Sequence, residues 1–390
     1  MRGAPALIAA SGRAVDLSRH PAPVRALVAA GRASLGHTPV APVTLTDSES
    51  AELADFAIHH GMVAWLSDAR AIASAPPRAG DVDILRRHLG RVVYGIRDLT
   101  EAMAVLRGAG IAAVAFRGPA FAAWLYGDPT ARRFADLDIL VERDRRSGAR
   151  ARLEAIGYTL PISPTCLRVV DETLGAWPLA RDGSEIDLHW RPAGRRFPAV
   201  LSAAEILRDR IVVKVGTSGV EAPAPAHAAV LALMHAAKHL WYALELTLSI
   251  AHLTRRSDVD WEAVRSIAVR GGALRPAAAG LRLAAEVFGV AIPGPFARDV
   301  RTSVVDDLCG CAMQTLALAP FALPDHRIDR RTHRLSFDRT IDRLAYDVRR
   351  LLEPTYADFA WTALPSALAP VYPAVRLVRL GGMALGMWNG

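Results

Sequence analysis

The stretch Asp136-Leu137-Asp138-Ile139-Leu140-Val141 places two carboxylates inside a short apolar run. In a β-strand, residues i and i+2 point to the same face of the sheet, so Asp136 and Asp138 would lie side by side. Two like charges 4 Å apart repel by about 4 kcal/mol at an effective dielectric near 20. A fold keeps this arrangement where a cation offsets the repulsion, and oxygen ligands without His or Cys suit Mg²⁺ or Mn²⁺. The stretch therefore predicts a strand that carries part of a divalent metal site.

A third carboxylate follows in Ile186-Asp187-Leu188, on a strand that the turn Asp182-Gly183 joins to the preceding strand. Three carboxylates on neighbouring strands can hold two divalent ions about 3.5–4 Å apart. We predict Asp136, Asp138 and Asp187 as metal ligands and catalytic residues, and we expect Asp138→Asn to relieve repulsion and leave the cation-free fold at least as stable. A structural alternative stays open, because acidic pairs at i, i+2 occur at least seven times in the chain and Asp187 also fits a solvent-facing position.

A strand-to-helix turn lies upstream of these carboxylates. The apolar strand 111–116 is followed by Arg117-Gly118 and by a helix that runs through residue 126. The free backbone N–H groups of a helix N-terminus bind phosphate well, although a tight turn needs glycine in any case. The order of the elements, a glycine turn, then Asp-x-Asp, then a single Asp, is more specific than any one of them. We predict Gly118 as the phosphate-side turn.

The element pattern predicts an α+β chain with a small mixed β-sheet between helical regions. Residues 1–80 read as an N-terminal helical region, residues 81–222 as the sheet domain, residues 223–300 as a helical domain and residues 301–390 as a C-terminal helical extension. Within the sheet domain we expect a long helix, then strand, helix, strand, helix and a hairpin whose first strand spans 167–180. A second hairpin is expected around Gly216-Thr217-Ser218-Gly219.

The chain is basic overall, either through a dispersed basic surface or through a functional patch that attracts nucleic acid or nucleotide. The net charge is +8, and 45 of the 47 basic residues are arginine, the two lysines being Lys214 and Lys238. A basic balance first suggests an anionic partner, but dispersed arginines are also what a GC-rich genome writes at exposed basic positions. No basic stretch with interleaved aromatic residues appears, so a nucleic-acid partner is not expected.

No transmembrane segment is predicted. The most apolar long stretch, residues 228–253, contains His235, Lys238, His239 and Glu245, which a bilayer core disfavours. Three cysteines are too few for a disulfide framework in a chain of this length, and no signal peptide is recognisable. These features favour a cytoplasmic protein.

Four motifs in sequence order resemble the uncharacterised bacterial nucleotidyltransferase family of the DNA polymerase β superfamily. They are Phe116-Arg117-Gly118-Pro119-Ala120, Leu125-Tyr126-Gly127-Asp128-Pro129, the stretch 132–141, and Asp187-Leu188-His189-Trp190-Arg191. Downstream, His235-Ala236-Ala237-Lys238-His239-Leu240-Trp241 and Asp260-Trp261 resemble the helical half of that family. The resemblance covers roughly residues 83–295. Arg117 stands where the family usually has Lys, and Ser249 stands where many members have Asp.

The resemblance implies a small nucleotidyltransferase domain followed by a helical one. By position, Asp136, Asp138 and Asp187 become ligands of Mg²⁺ or Mn²⁺, Gly118 the phosphate-side turn, and Arg132 a bidentate phosphate contact. Arg117 and Lys238 would balance a triphosphate. His235, Lys238 and His239 share one helix face at i, i+3 and i+4, where they would meet the nucleotide or the acceptor, or else lie in a helical core. His189 shares the strand face of Asp187 and is expected near the metal site.

Two functional hypotheses follow. In the first, the chain moves a nucleoside monophosphate from an NTP to the hydroxyl of a small-molecule or peptide acceptor and releases pyrophosphate. In the second, it is a catalytically degenerate nucleotide-binding or partner-binding scaffold. The three carboxylates favour the first hypothesis, whereas Arg117 and Ser249 favour the second. A nucleic-acid-binding module ranks last, because net charge alone supports it.

Overall fold

The computed structural model describes residues 7–8, 17–37, 43–161, 167, 171, 175–198, 200–322, 326–385 and 387. Over these residues the chain forms a small mixed β-sheet with helices before and after it. The α+β class predicted from the sequence is therefore confirmed.

Four helices precede the sheet. They are α1 (Ala22–Ser34), α2 (Asp47–His59), α3 (Leu66–Ile72) and the long α4 (Ala79–Gly108). A short strand, β1 (Leu7–Ile8), comes before them. The start of α2 is capped reciprocally, because the Thr46 side chain accepts from the backbone N–H of Glu49 and the Glu49 carboxylate accepts from the backbone N–H of Thr46.

The central sheet has the order β2-β3-β5-β4. Its strands are β2 (Ala113–Ala115), β3 (Leu137–Val141), β4 (Ala176–Arg181) and β5 (Ser184–His189), with α5 (Gly118–Tyr126) between β2 and β3 and α6 (Arg146–Glu154) after β3. The pairs β2/β3 and β4/β5 are antiparallel, whereas β3 and β5 run parallel. The edge position of β4 accommodates Pro178, which lacks a ladder donor.

The hairpin prediction is right at its turn and wrong at its first strand. Asp182 and Gly183 both have positive φ, as a two-residue hairpin turn requires. Leu167 and Asp171 are helical, however, and β4 begins only at Ala176. The predicted first strand therefore begins too early in the sequence.

The second half of the chain is mostly helical. A short helix α7 (Ala203–Arg208) leads into the predicted second hairpin, formed by β6 (Arg210–Val215) and β7 (Ser218–Pro223). The following elements are α8 (Pro225–Lys238), α9 (Leu244–Thr254), α10 (Trp261–Gly271), α11 (Leu274–Phe288), β8 (Ile292–Pro293), α12 (Ser303–Leu316), α13 (His326–Ser336), α14 (Thr340–Leu352), α15 (Tyr356–Trp361) and α16 (Tyr372–Ala384). In the part of the chain that the structure describes, no helix has both the length and the apolar character needed to cross a bilayer.

One hydrophobic core connects the N-terminal helices, the sheet and the helices up to α12. It extends from Ala22 to Leu316 and includes Leu27, Ile139 and Leu248 at full burial. The domain boundaries near residues 80, 222 and 300 stay predictions, because this core is continuous across all three. Cys309 and Cys311 are buried free thiols within or beside it, and Cys166 lies outside the described residues.

Helix α4 packs against the loop that leads into β3 through a glycine. Gly95 is buried, and a methyl group there would lie 2.5 Å from two ring atoms of Phe134. Phe134 precedes Asp136 by two residues, so this contact holds the entrance to β3 close to α4. Gly90 lies in the same helix with no neighbouring atom within 4 Å of such a methyl group.

We expect Gly95→Ala and Gly90→Ala to change stability in opposite directions. Alanine improves helix propensity by up to about 1 kcal/mol at either position, but at Gly95 it collides with Phe134, and overpacking of a core costs about 1–3 kcal/mol. Urea denaturation should show Gly90→Ala to be neutral or stabilised and Gly95→Ala destabilised. Equal stabilisation of both variants would contradict the close packing of Phe134 on α4.

Candidate active site

Two of the predicted carboxylates meet across the parallel strand pair. Asp138 on β3 lies opposite Asp187 on β5 in the register. His189 follows Asp187 by two residues and therefore shares its face. One ligand atom from each of Asp138, Asp187 and His189 lies within 4.8 Å of the other two. The structure thus brings Asp138 and Asp187 together and adds an imidazole, while Asp136 lies immediately before β3 and outside this group of three.

Asp138 is buried and bonded to a guanidinium and an imidazole. Its side chain is 4% exposed, and its Oδ1 accepts hydrogen bonds from Arg117 at 2.8 Å and from His189 Nε2 at 2.8 Å. Burial alone would raise the pKa of Asp138, but Arg117 and His189 hold it well below its ordinary value. The charge of Asp138 is therefore offset inside the protein itself.

The imidazole of His189 lies between two oxygen acceptors. Its Nδ1 is 3.2 Å from the carbonyl oxygen of Arg191, and its Nε2 faces Asp138. Because a carboxylate only accepts hydrogen bonds, Nε2 is the donor toward Asp138. In this arrangement His189 holds the Asp138 carboxylate in place as a donor.

Burial and neighbouring negative charges both make the ionised forms of Asp187 and Asp136 unfavourable. Burial raises the pKa of Asp187 to about 6; His189 opposes this rise, and the charges of Asp138 and Asp136 add to it. Burial and the charge of Asp138 likewise raise the pKa of Asp136. The negative charge that a bound cation would relieve is therefore concentrated on these two carboxylates.

Gly118 brings the start of α5 close to Asp136. Its φ of +63° lies in the left-handed region that favours glycine, and a side chain there would lie 3.7 Å from the backbone oxygen of Asp136. The preceding residue, Arg117, is extended, and Gly118 is the first residue of α5. The predicted strand, glycine turn and helix are all present, with β2 ending at Ala115.

Lys238 is the last residue of α8, and its exposed side chain carries a positive charge near the site. No described residue makes a hydrogen bond or a salt bridge with its ammonium group. Desolvation by the surrounding protein and the charge of Arg117 lower the pKa of its ammonium group, whereas Asp138, Asp187 and Asp136 oppose that decrease. Its charge therefore faces all three carboxylates without being paired to one of them.

His235 and His239 are neutral side chains on the same helix end. Burial lowers the pKa of His235 well below its usual value, and burial with Lys238 lowers the pKa of His239 to about 4. Their ring centroids are 4.6 Å apart. His235 borders a small cavity together with Arg117 and Arg132, whereas His239 packs on His235 and Tyr242.

A family model described as an uncharacterised nucleotidyltransferase matches residues 80–289. The chain belongs to this nucleotidyltransferase family. The matched segment begins in α4 and ends just after α11, so it contains the central sheet, the Gly118 turn and the candidate site. Helices α1–α3 and α12–α16 lie outside it. A search of curated proteins gives no match.

In this member of the family, Arg132 pairs with a carboxylate that the sequence reasoning did not single out. The Nε of Arg132 donates to Glu245 on α9, and both side chains are buried. Ser249 donates to the same Glu245 oxygen at 2.8 Å, and the Tyr126 hydroxyl is 2.9 Å from Ser249 Oγ. The sequence does contain an indication of this pairing. Glu245 lies inside the apolar stretch 228–253, and a buried acid needs a buried partner.

This network gives a physical reason for serine at position 249. An aspartate there would place a second carboxylate against Glu245, whereas the Ser249 hydroxyl donates to it. The network also fixes the loop before β3 to α9, because Arg132 and Glu245 lie on those two elements. A phosphate contact by Arg132 stays a prediction.

The structure changes the expectation for Asp138→Asn. With a chelator at pH 7.5, this change should lower the free energy of unfolding by about 3–5 kcal/mol, the range for removing one partner of a buried ion pair. Asp187→Asn should instead raise it by on the order of 1–2 kcal/mol, because the folded chain disfavours the ionised Asp187.

The effect of Asp187→Asn should depend on pH. Between the ordinary value of 3.8 and about 6, the folded chain keeps a proton on Asp187 that the unfolded chain releases. Wild-type stability therefore falls as the pH rises through this window, and the advantage of Asp187→Asn should be present at pH 7.5 and small at pH 4. Urea denaturation at both pH values measures this difference. Two substitutions with the same sign at pH 7.5 would refute the assignment of charges.

Proposed function

We propose that the chain transfers a nucleoside monophosphate from an NTP to an acceptor hydroxyl and releases pyrophosphate. The observation that carries this proposal is the pairing of Asp138 with Asp187 across β3 and β5, beside the N-terminus of α5. Family membership gives the reaction class, and the carboxylates and cations described above give each part of the reaction a candidate residue.

The donor set fits a divalent cation. Ligand atoms on opposite sides of Mg²⁺ lie about 4.2 Å apart, and carboxylate oxygens of Asp138 and Asp187 already lie within 4.8 Å of each other. Burial, and after it the charges of Asp138 and Asp136, raise the pKa of Asp187, and a bound cation would favour its ionised form. Asp138, Asp187 and the adjacent Asp136 would hold Mg²⁺ or Mn²⁺, which would offset the triphosphate charge and lower the pKa of the acceptor hydroxyl.

The chain's own groups account for charge and proton transfer. The acceptor oxygen bonds to the α-phosphorus, the bond from that phosphorus to the bridging oxygen breaks, and pyrophosphate leaves with the electron pair. Asp187 accepts the hydroxyl proton, because burial makes it the more basic of the two paired carboxylates. Lys238, Arg117 and the N–H groups at the start of α5 balance the triphosphate.

One observation favours the second candidate function, nucleotide binding without turnover. Arg117 and His189 already offset the charge of Asp138, so a cation has to compete with them for that carboxylate. A scaffold that retained the fold and lost the reaction would show this pairing. Binding and turnover therefore need separate measurements.

Turnover is tested by incubating the protein with each NTP labelled at the α-phosphate, Mg²⁺ or Mn²⁺, and cell extract. We expect a labelled product larger than the nucleotide from one or more NTPs. Asp187→Asn should reduce its formation at least 100-fold, because the paired carboxylate is lost. The control is Asp182→Asn, a change of the same kind on the exposed turn of the same hairpin, which should keep wild-type rates.

Binding is tested by thermal melts with Mn²⁺ and each NTP. A ligand at 100 times its Kd stabilises the folded state by about 2.7 kcal/mol. We expect this stabilisation in the wild type and in Asp182→Asn, and its loss in Asp187→Asn. Stabilisation without any labelled product would support the scaffold function, and no stabilisation by any NTP would refute both candidate functions.

A further inference from the structure

A cavity of about 290 Å³ opens beside the candidate active site. Arg117, His235 and Lys238 form the polar end that it shares with the site. Most of the remaining wall is apolar and includes Trp190, Phe197, Leu231, Met234 and Phe337. A molecule in this cavity would therefore present a polar end to the carboxylates and an apolar end to the wall.

The hydroxyl and imidazole groups within the apolar wall bond to the protein itself. Ser202 donates to Glu205, Ser336 donates to the backbone oxygen of Thr332, and His333 Nε2 lies 3.1 Å from the backbone oxygen of Lys238. A nucleobase carries donors and acceptors along its edge, and burying them without partners is unfavourable. An apolar group loses nothing in such surroundings and gains from leaving water. The wall therefore fits a hydrocarbon group better than a base.

The volume limits the size of that group. A cavity of about 150 Å³ is large enough for benzene, and this one is roughly twice as large. It therefore has room for a bicyclic aromatic group or a branched aliphatic group of similar size.

One wall of the cavity comes from outside the family-matched segment. His333, Ser336 and Phe337 lie at the end of α13, beyond residue 289. This wall is anchored, because the Asp338 carboxylate accepts from the backbone N–H groups of Leu274 and Arg275 at the start of α11. On the other side, the Arg196 guanidinium bonds to Glu353 and so holds loop 190–198 against the same C-terminal region.

We infer that this cavity binds the apolar group of the acceptor and that α13 with Phe337 selects which group fits. The acceptor is then an amphipathic hydroxyl compound, with its hydroxyl at Asp187 and an aromatic or branched aliphatic group in the cavity. This inference rests on the proposed function for the reaction, whereas occupancy of the cavity is measurable without NTP or cation.

The test uses the dye 8-anilinonaphthalene-1-sulfonate, whose naphthalene and aniline rings suit the apolar wall and whose single sulfonate charge suits the end formed by Arg117 and Lys238. We expect saturable fluorescence at one site on the folded wild type, measured without NTP and with a chelator. Ser336→Trp fills the cavity from α13 and should weaken dye binding at least tenfold. Met234→Trp fills it from α8 and should do the same. Ser147→Trp adds the same ring on the exposed face of α6 and should bind the dye as the wild type does.

Competition identifies the kind of ligand. We expect 2-(2-naphthyl)ethanol to displace the dye from the wild type and adenosine not to displace it. Displacement by nucleosides and not by the aromatic alcohol would overturn the inference and mark the cavity as a base site. Dye binding that neither tryptophan variant changes, in proteins that melt cooperatively, would also overturn it. If no NTP stabilises the wild type while the dye still binds to the cavity, the proposed function is refuted and the cavity assignment stands.

Discussion

The buried negative charge of Asp138 is the constraint around which the site is arranged. A carboxylate with 4% exposure is stable only if cations or donors surround it. Here they come from separate elements, Arg117 from the start of α5 and His189 from the end of β5, with Lys238 at the end of α8 adding its charge. Satisfying this one charge therefore fixes how a helix and two strands meet. The same arrangement leaves Asp187 as the carboxylate whose ionisation is unfavourable, which suits it to a cation or a proton.

Local patterns were sufficient to predict the parts of this site that lie close together in the sequence. The Asp-x-Asp strand, the Gly118 turn, the turn at Asp182 and the α+β class all follow from side-chain periodicity and turn chemistry. The sequence also placed His189 on the face of Asp187, because that relation needs only the two-residue period of a strand. The resemblance to a known family connected these motifs with one another, and the family match over residues 80–289 confirms that resemblance.

What the sequence did not reveal depends on contacts between distant residues. The parallel register that sets Asp138 opposite Asp187 involves positions 49 residues apart, and no local signal distinguishes it from other registers. The ionised form of Asp138 is stabilised, whereas ionisation of Asp187 is unfavourable. This difference arises because Arg117 and His189 both bond to the same oxygen of Asp138. The pairing of Arg132 with Glu245 and the cavity wall at Phe337 have the same origin. The strand predicted over 167–180 was wrong at Leu167 and Asp171, which are helical, since a short mixed run of apolar and polar residues does not distinguish a strand from a helix.

The packing of α1 on α11 makes the family-matched segment of this chain depend on residues outside it. Gly31 lies so close to Phe288 that a methyl group would sit 2.6 Å from the ring, Arg32 bonds to the backbone of Val287, and β1 pairs with β8. Residues before and after the family-matched segment 80–289 thus complete its hydrophobic core. The family-matched segment 80–289 is therefore not structurally independent of the rest of this chain. Recombination that moved it alone into another gene would leave apolar helix surface exposed to solvent.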